Sequence, residues 1–246
     1  MSYLTIEYIS FTILGVLPSL IWLFYFLDKD NDPEPKIRIL LVFIFGVLGA
    51  FLAASIQAPT REFLHSVSTE GGRNLSLFIS FVDSFFAVAF LEETVKLLAV
   101  LLGVFLLGVR ELDEPVDFII YMITAGLGFA ALENYIYFSR VPTEMIAELV
   151  LLRFAITTLF HAIVAGILGY FMALSIRVMK PLFIFLGLIV VTFFHTLYNV
   201  LIEFMAISEN IIYPIFLLLF LLVLTMLLLR GFKETKRMKG ICEINL

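Results

Sequence analysis

Long apolar stretches separated by short polar linkers dominate the sequence. Seven of them reach the roughly 20 residues that an α-helix needs to cross a hydrocarbon layer of about 30 Å. The third and the fifth are longer than one crossing requires, so we expect each to project from the membrane or to contain a break. The pattern predicts an all-α, polytopic membrane bundle of about seven transmembrane helices in a single domain (1–246), with spans at 4–27, 38–57, 76–108, 117–138, 148–178, 182–205 and 210–229.

Basic residues are unevenly divided between the two sets of loops that these spans create. One set contains only Arg61, Arg73 and Arg140. Because cytoplasmic loops carry the excess of positive charge, the N-terminus is predicted to lie outside and the C-terminus in the cytoplasm, within a basic tail (230–246). The other, cytoplasmic set contains Lys29, Lys36, Arg38, Arg110, Arg177, Lys180, Arg230, Lys233, Lys236, Arg237 and Lys239.

The composition agrees with a membrane protein and excludes several other classes. Hydrophobic residues make up 62% of the 246 residues and charged residues 15%, whereas soluble domains are about 45–50% apolar. Topology explains the basic tail better than nucleic-acid binding does. The single cysteine, Cys242, excludes a disulfide framework and makes a cysteine protease a poor hypothesis. The first apolar stretch lacks the basic start of a cleavable signal peptide, so it is interpreted as a transmembrane helix.

Four groups of ionisable or amide side chains interrupt the apolar spans. Burying such a group in a bilayer costs at least a few kcal/mol, so those that persist are usually functional. Counted inward from the predicted cytoplasmic ends, the four groups lie 13–17 residues deep, or about 20–25 Å at helical rise. This common depth predicts one site in the outer half of the membrane, built from Glu92, Glu93 and Lys96, from Glu133 and Asn134, from His161, and from His195 and Asn199.

Each group alone also has a structural explanation. A Glu–Lys pair can simply link helices, a single intramembrane histidine is commonly a satisfied hydrogen-bonding residue, and an asparagine can join two helices for about 1 kcal/mol. Co-location at one depth is what favours a reaction site, because four independent structural contacts have no reason to share a level.

The residue types in these groups suit hydrolysis of an amide. Lys96 lies one helical turn from both Glu92 and Glu93 and can pair with either. Two adjacent buried carboxylates resist ionising together, which keeps one available as a general base. The sequence contains no GxSxG elbow and no HExxH zinc motif. A zinc site formed by His161, His195 and Glu92 stays open, and so does activation of a water by a carboxylate alone.

Four motifs, in order along most of the chain, resemble those of the PrsW family of bacterial intramembrane proteases. This family is related to the CAAX-processing and bacteriocin-immunity peptidases and, more distantly, to the APH-1 subunit of gamma-secretase. The CAAX relatives have EExxxR where this chain has EExxK, so the role of Lys96 differs in detail. The motifs are EETVK (92–96), GLGFAALEN (126–134), His161 with Gly166, Gly169 and Tyr170, and FHTLYN (194–199), and the turn that ends with PEP (33–35) adds to them.

The resemblance implies a multi-pass protease of the bacterial cytoplasmic membrane. It would make the first, extracytoplasmic cut in a single-pass anti-sigma factor and so help to activate a sigma factor under envelope stress. The relatives are considered glutamate-type proteases, which implies no cofactor, although zinc stays possible. Two alternatives are a zinc peptidase built from the same residues and a non-catalytic membrane scaffold or proton-coupled carrier.

We therefore predict a mechanism in which a glutamate activates water. Glu92 is favoured as the base, while Glu93 supports the structure or positions substrate. His161 helps to hold the water, and His195 and Asn199 donate hydrogen bonds to the oxyanion. Lys96 balances charge and orients the acids, and Glu133 with Asn134 completes the site.

Overall fold

The computed structural model describes residues 3–30, 32–70, 79–107 and 114–238, and in these ranges the protein is almost entirely helical and contains no strand. A π-helical stretch, Asp83–Phe90, leads directly into α3, and a second one, Arg153–Thr158, joins α5 to α6. A short 3₁₀ turn, Thr143–Met145, precedes α5. The helices are α1 Tyr3–Leu27, α2 Lys36–Glu70, α3 Leu91–Leu107, α4 Asp117–Phe138, α5 Ile146–Leu152, α6 Leu159–Val178, α7 Leu182–Ile207 and α8 Ile212–Thr235.

The predicted all-α polytopic fold is confirmed. Six helical stretches in the described part of the chain are long and apolar enough to cross a membrane. The remaining predicted span, 76–108, is helical over 79–107. It is set apart from the other six by its charge, because every 18-residue stretch of it contains Glu92, Glu93 and Lys96.

The helices extend past several of the predicted span limits. The second helix continues beyond the predicted limit of 57 to Glu70, with Pro59 inside it. The last helix ends at Thr235 rather than 229, so the first six residues of the predicted tail are helical, and 239–246 lie outside the described residues. The two long spans are not broken. Each instead contains one π-helical stretch, directly before the residues predicted to form the site.

Helix α4 is the centre of the bundle. It packs against α1, α2 and α6, and nearly all of its side chains are buried. Glycines allow α2 to approach it closely: a Cβ atom on Gly46 would lie 2.2 Å from the carbonyl oxygen of Ala125, and one on Gly128 would lie 2.1 Å from that of Phe43. Such contacts between small residues are the usual way in which membrane helices pack tightly.

The second π-helical stretch is held by the first helix. The indole Nε1 of Trp22 donates a hydrogen bond to the backbone oxygen of Phe154 at 2.9 Å, and the two rings stack at 5.6 Å between centroids. A π-helical turn widens the helix and shifts the side chains that follow it, which is why such turns are common next to functional sites. Here the shift precedes His161 by one turn.

Candidate active site

The carboxylate of Glu93 is the centre of a buried ion-pair network. Its Oε1 accepts a hydrogen bond from Lys96 Nζ at 2.7 Å and another from His195 Nδ1 at 2.7 Å. Glu93 and Lys96 are fully buried, and His195 is 3% exposed. Lys96 was predicted to be able to reach either acid of the pair, and in the structure it bonds Glu93. The network joins α3 to α7.

Lys96 extends the network to a second histidine. Its Nζ also lies 2.9 Å from His161 Nδ1, and it sits 4.5 Å from the centre of the Phe129 ring, in cation–π geometry. The other ring nitrogen of His161, Nε2, lies 2.9 Å from Glu133 Oε2. The chain of contacts thus runs from α7 through α3 and α6 to α4.

These partners fix opposite tautomers for the two imidazoles. An ammonium group has three hydrogens and no acceptor, so His161 Nδ1 must accept from Lys96, and its Nε2–H donates to Glu133. A carboxylate only accepts, so His195 Nδ1–H donates to Glu93, and in the neutral imidazole Nε2 is left as an acceptor. The structure therefore presents one imidazole as a donor and the other as a potential base.

Arg153 holds Glu133 at the same carboxylate oxygen that His161 contacts, and Asn134 in turn holds Arg153. Arg153 Nη2 donates to Glu133 Oε2 at 2.7 Å, and its Nε donates to Asn134 Oδ1 at 2.6 Å. Asn134 Nδ2 in turn donates to Thr158 Oγ1 at 3.1 Å and to the backbone oxygen of Gly15 at 3.3 Å. Arg153, at the start of the π-helical stretch, thereby holds Glu133 in a fixed orientation against His161.

Glu92 is the least engaged of the three acids. Its Oε1 accepts a hydrogen bond from Gln57 Nε2 at 3.0 Å. Its Oε2 is buried and has no hydrogen-bond partner among the described residues. The nearest basic atom is His195 Nε2, at 3.7 Å, which is too long for a direct hydrogen bond. One water molecule can lie within hydrogen-bond reach of both atoms.

The charges of the cluster do not balance by themselves. Three carboxylates (Glu92, Glu93 and Glu133) face two permanent cations (Lys96 and Arg153), and both imidazoles are neutral in the tautomers above. A buried uncompensated charge is costly. One further proton, or a bound cation, completes the balance. Glu92 Oε2 and Glu93 Oε2, which have no hydrogen-bond partner among the described residues, are free to receive it.

A group of possible metal ligands overlaps the same cluster. Glu92, Glu133 and His161 each offer a donor atom, and these atoms lie within 4.8 Å of one another. The set differs from the predicted His161, His195 and Glu92 by one residue, since Glu133 takes the place of His195. Carboxylates and imidazoles suit zinc, and the orphaned Glu92 Oε2 is a ready ligand, so the residues fit a divalent ion. To bind the ion through Nε2, His161 would have to carry its hydrogen on Nδ1 instead. The contact of Nδ1 with the Lys96 ammonium opposes that tautomer.

The structure brings seven of the eight predicted site residues into one network. The eighth, Asn199, lies one turn beyond His195 on α7, is half-buried, and makes no hydrogen bond with its side chain to any described residue. Sequence reasoning missed two contributors, Gln57 and Arg153, as ligands of the acids. Each is a polar residue within an apolar stretch, which is the signal that could have found them.

The fold and the cluster together define a class: a polytopic membrane protein with acids, imidazoles and a lysine buried within its helical bundle. Comparison with known proteins narrows this class. The sequence model of the PrsW family, described as intramembrane metalloproteases, matches residues 34–228, and the chain belongs to this family.

Curated relatives agree with this assignment. The chain is 33% identical over 158 residues to protease PrsW of Geobacillus kaustophilus, 31% over 159 residues to that of Bacillus subtilis and 29% over 162 residues to that of Clostridioides difficile. These matches cover 64–65% of this chain and 63–65% of the relatives, which is just under two thirds of their length. No solved structure matches the chain.

Proposed function

We propose that this protein is an intramembrane endopeptidase of the bacterial cytoplasmic membrane, in which Glu92 and His195 activate a water molecule for attack on a peptide bond. The observation that carries the proposal is the distance of 3.7 Å between His195 Nε2 and Glu92 Oε2, a buried oxygen with no hydrogen-bond partner among the described residues. When Glu92 is ionised and His195 is neutral, both atoms are acceptors and both attract the hydrogens of one water. Unpaired acceptors kept inside a membrane are expensive and are retained for use.

The supporting residues prepare this pair for proton transfer. Glu93 accepts the Nδ1 hydrogen of His195 and so keeps the Nε2 lone pair directed at the water, as a carboxylate does for the histidine of a hydrolytic triad. Lys96 neutralises Glu93, and Gln57 holds Glu92 by its Oε1. The cost of orienting these groups is met during folding rather than at the moment of reaction.

The reaction then proceeds in two proton transfers. The water oxygen attacks the carbonyl carbon of the scissile bond while one of its hydrogens passes to Glu92 or His195. The same proton moves to the amide nitrogen as the carbon–nitrogen bond breaks, which leaves a carboxylic acid and an amine. Neutral His195 offers an acceptor, so it becomes a donor only after it has taken this proton. Asn199, whose side-chain amide bonds no described residue, remains the proposed donor to the oxyanion. Removing such a donor typically raises the activation free energy by about 3 kcal/mol.

We assign the substrate from the resemblance noted above. The relatives are named proteases, and from the resemblance we propose that the substrate is a single-pass membrane protein, an anti-sigma factor cut on its extracytoplasmic side. A site buried among membrane-spanning helices suits a substrate that is itself a transmembrane helix.

A second candidate is the metal-dependent version of the same protease. It is favoured by the family description and by the donor atoms of Glu92, Glu133 and His161 within 4.8 Å of one another. These three residues would hold the ion, which would supply Lewis-acid polarisation of the water or the carbonyl. Gln57 and Arg153, which donate to Glu92 and Glu133, would then orient these two ligands.

The test is cleavage of a purified single-pass substrate in proteoliposomes, with products identified by mass spectrometry. The proposal predicts loss of cleavage in Glu92→Gln and activity that survives chelation and dialysis. Full activity in Glu92→Gln would refute it. Loss of activity on chelation, with recovery on adding zinc, would favour the metal-dependent version. As a matched control, Glu148→Gln changes an acid on the exposed start of α5 and should leave cleavage unchanged.

A further inference from the structure

A second cavity lies apart from the candidate active site, between α6, α7 and α8. It has a volume of about 390 Å³ and lies toward the end of the bundle at which α6 and α8 end. None of the acids or histidines of the candidate site lines it. Its apolar wall is formed by Ile167, Phe171, Val190, Phe194, Leu227 and Leu228.

The mouth of this cavity is polar. Tyr170 Oη donates to Glu234 Oε2 at 2.6 Å, and Arg230 Nε donates to Glu234 Oε1 at 2.9 Å. Arg230 and Glu234 also line a neighbouring cavity of about 460 Å³, whose other walls include Lys233 and Arg237. The apolar cavity and the cationic cavity therefore meet at one ion pair on α8.

The charge at this junction is not balanced. Both oxygens of Glu234 are occupied, one by Tyr170 and one by Arg230. Lys233 and Arg237 are exposed and form no ion pair with any described residue. Within the described part of the chain, three cations against one carboxylate leave two positive charges without an ion-pair partner beside an apolar cavity. The complementary ligand is a molecule with an acyl chain and an anionic head.

The volume of the apolar cavity favours a lipid acyl chain over a transmembrane helix as its occupant. A helix about 10 Å across takes roughly 120 Å³ for each residue of rise, so the apolar cavity would accept only about three residues of a transmembrane segment. Part of one acyl chain is a better match to its volume and to its apolar wall. Basic pockets between helices at the membrane surface are typical binding sites for anionic lipid headgroups.

We infer that the junction of these two cavities is a binding site for an anionic phospholipid, with an acyl chain against α6 and α7 and its phosphate at Lys233 and Arg237. The assignment does not depend on the proposed protease activity, because none of these residues belongs to the candidate active site. It gives this family member a lipid ligand in addition to any protein substrate.

The experiment is native mass spectrometry of the full chain in detergent, titrated with phosphatidylglycerol or phosphatidylcholine of identical acyl chains. Wild-type protein is expected to bind phosphatidylglycerol about 30-fold more tightly than phosphatidylcholine. Lys233→Gln/Arg237→Gln should weaken phosphatidylglycerol about 30-fold, from the attraction typical of two surface cations, and leave phosphatidylcholine unchanged. The charge-matched control is Lys36→Gln/Lys180→Gln, two exposed cations that line neither cavity.

A second pair of variants tests the acyl-chain cavity. Val190→Trp places a large ring in the cavity and should weaken phosphatidylglycerol, whereas Ile189→Trp, on an exposed neighbouring position, should not. Equal affinity for the two lipids would overturn the inference, and so would full retention of phosphatidylglycerol by the Lys233→Gln/Arg237→Gln protein. If Val190→Trp and Ile189→Trp behave alike, the acyl chain does not occupy the cavity and the assignment is wrong.

Discussion

Replacement of Lys96 by methionine tests the buried network most severely. Lys96 is fully buried and contacts both Glu93 Oε1 at 2.7 Å and His161 Nδ1 at 2.9 Å. Methionine keeps most of the apolar length but removes the charge and the donors. Glu93 would keep the hydrogen bond from His195, yet its charge would lose its only direct cationic partner. Removing one member of a buried ion pair typically costs about 3–5 kcal/mol, and the remaining bond from His195 places the expectation near 3 kcal/mol.

The double variant Lys96→Met/Glu93→Gln separates charge from packing. With both partners neutral, Glu93 no longer carries an uncompensated buried charge, so this protein should be more stable than Lys96→Met by about 1 kcal/mol or more. Lys180→Met, at an exposed position, should change the free energy of unfolding by less than about 0.5 kcal/mol.

Unfolding can be followed by the fluorescence of the single tryptophan, Trp22, in detergent micelles titrated with a denaturing detergent. Trp22 stacks on Phe154 next to the site, so its signal reports the region concerned. A loss below 1 kcal/mol in Lys96→Met, or a double variant no more stable than the single one, would show that Lys96 does not compensate Glu93.

Three further outcomes follow from the structure. Gln57→Leu removes the donor to Glu92 Oε1 and should lower kcat about tenfold or more with little change in KM; an unchanged kcat in steady-state kinetics would contradict this. Asn199→Ala should lower kcat about 100-fold and leave the unfolding free energy unchanged, because its side chain bonds no described residue; wild-type kcat would remove Asn199 from the mechanism. Gly46→Ala forces a Cβ to within 2.2 Å of a carbonyl oxygen and should cost about 1–3 kcal/mol, whereas Gly49→Ala meets only ordinary contacts from 3.5 Å and should be nearly neutral; similar Tm shifts for the two would contradict the close packing of α2.

The hydropathy pattern alone predicted the fold class and most of the membrane-spanning helices. The length of each apolar stretch predicted the crossings, and the limits of α4 agree with the prediction at both ends. The hydropathy pattern did not indicate how far a helix extends beyond its apolar stretch. Helix α2 continues past Gln57 for more than three turns, through mostly polar residues. Nothing in a hydropathy pattern reports that such residues stay helical once they leave the membrane.

The site was predictable as a collection of residues but not as a set of pairings. Depth counting indicated that Glu92, Glu133, His161 and His195 share a level, because helical rise is fixed. Which acid contacts which imidazole depends on how the helices rotate about their axes, and two π-helical stretches change that rotation just before Leu91 and Leu159. Sequence spacing carries no signal for these stretches.

The central claim is that Glu92 and His195 share a water molecule. An experimental structure of the purified protein, at a resolution that shows ordered waters and with its metal content measured on the same sample, tests this directly. The account predicts a water within hydrogen-bond distance of Glu92 Oε2 and His195 Nε2 and no stoichiometric metal. A metal ion at about 2.0–2.2 Å from Glu92, Glu133 and His161 would contradict it.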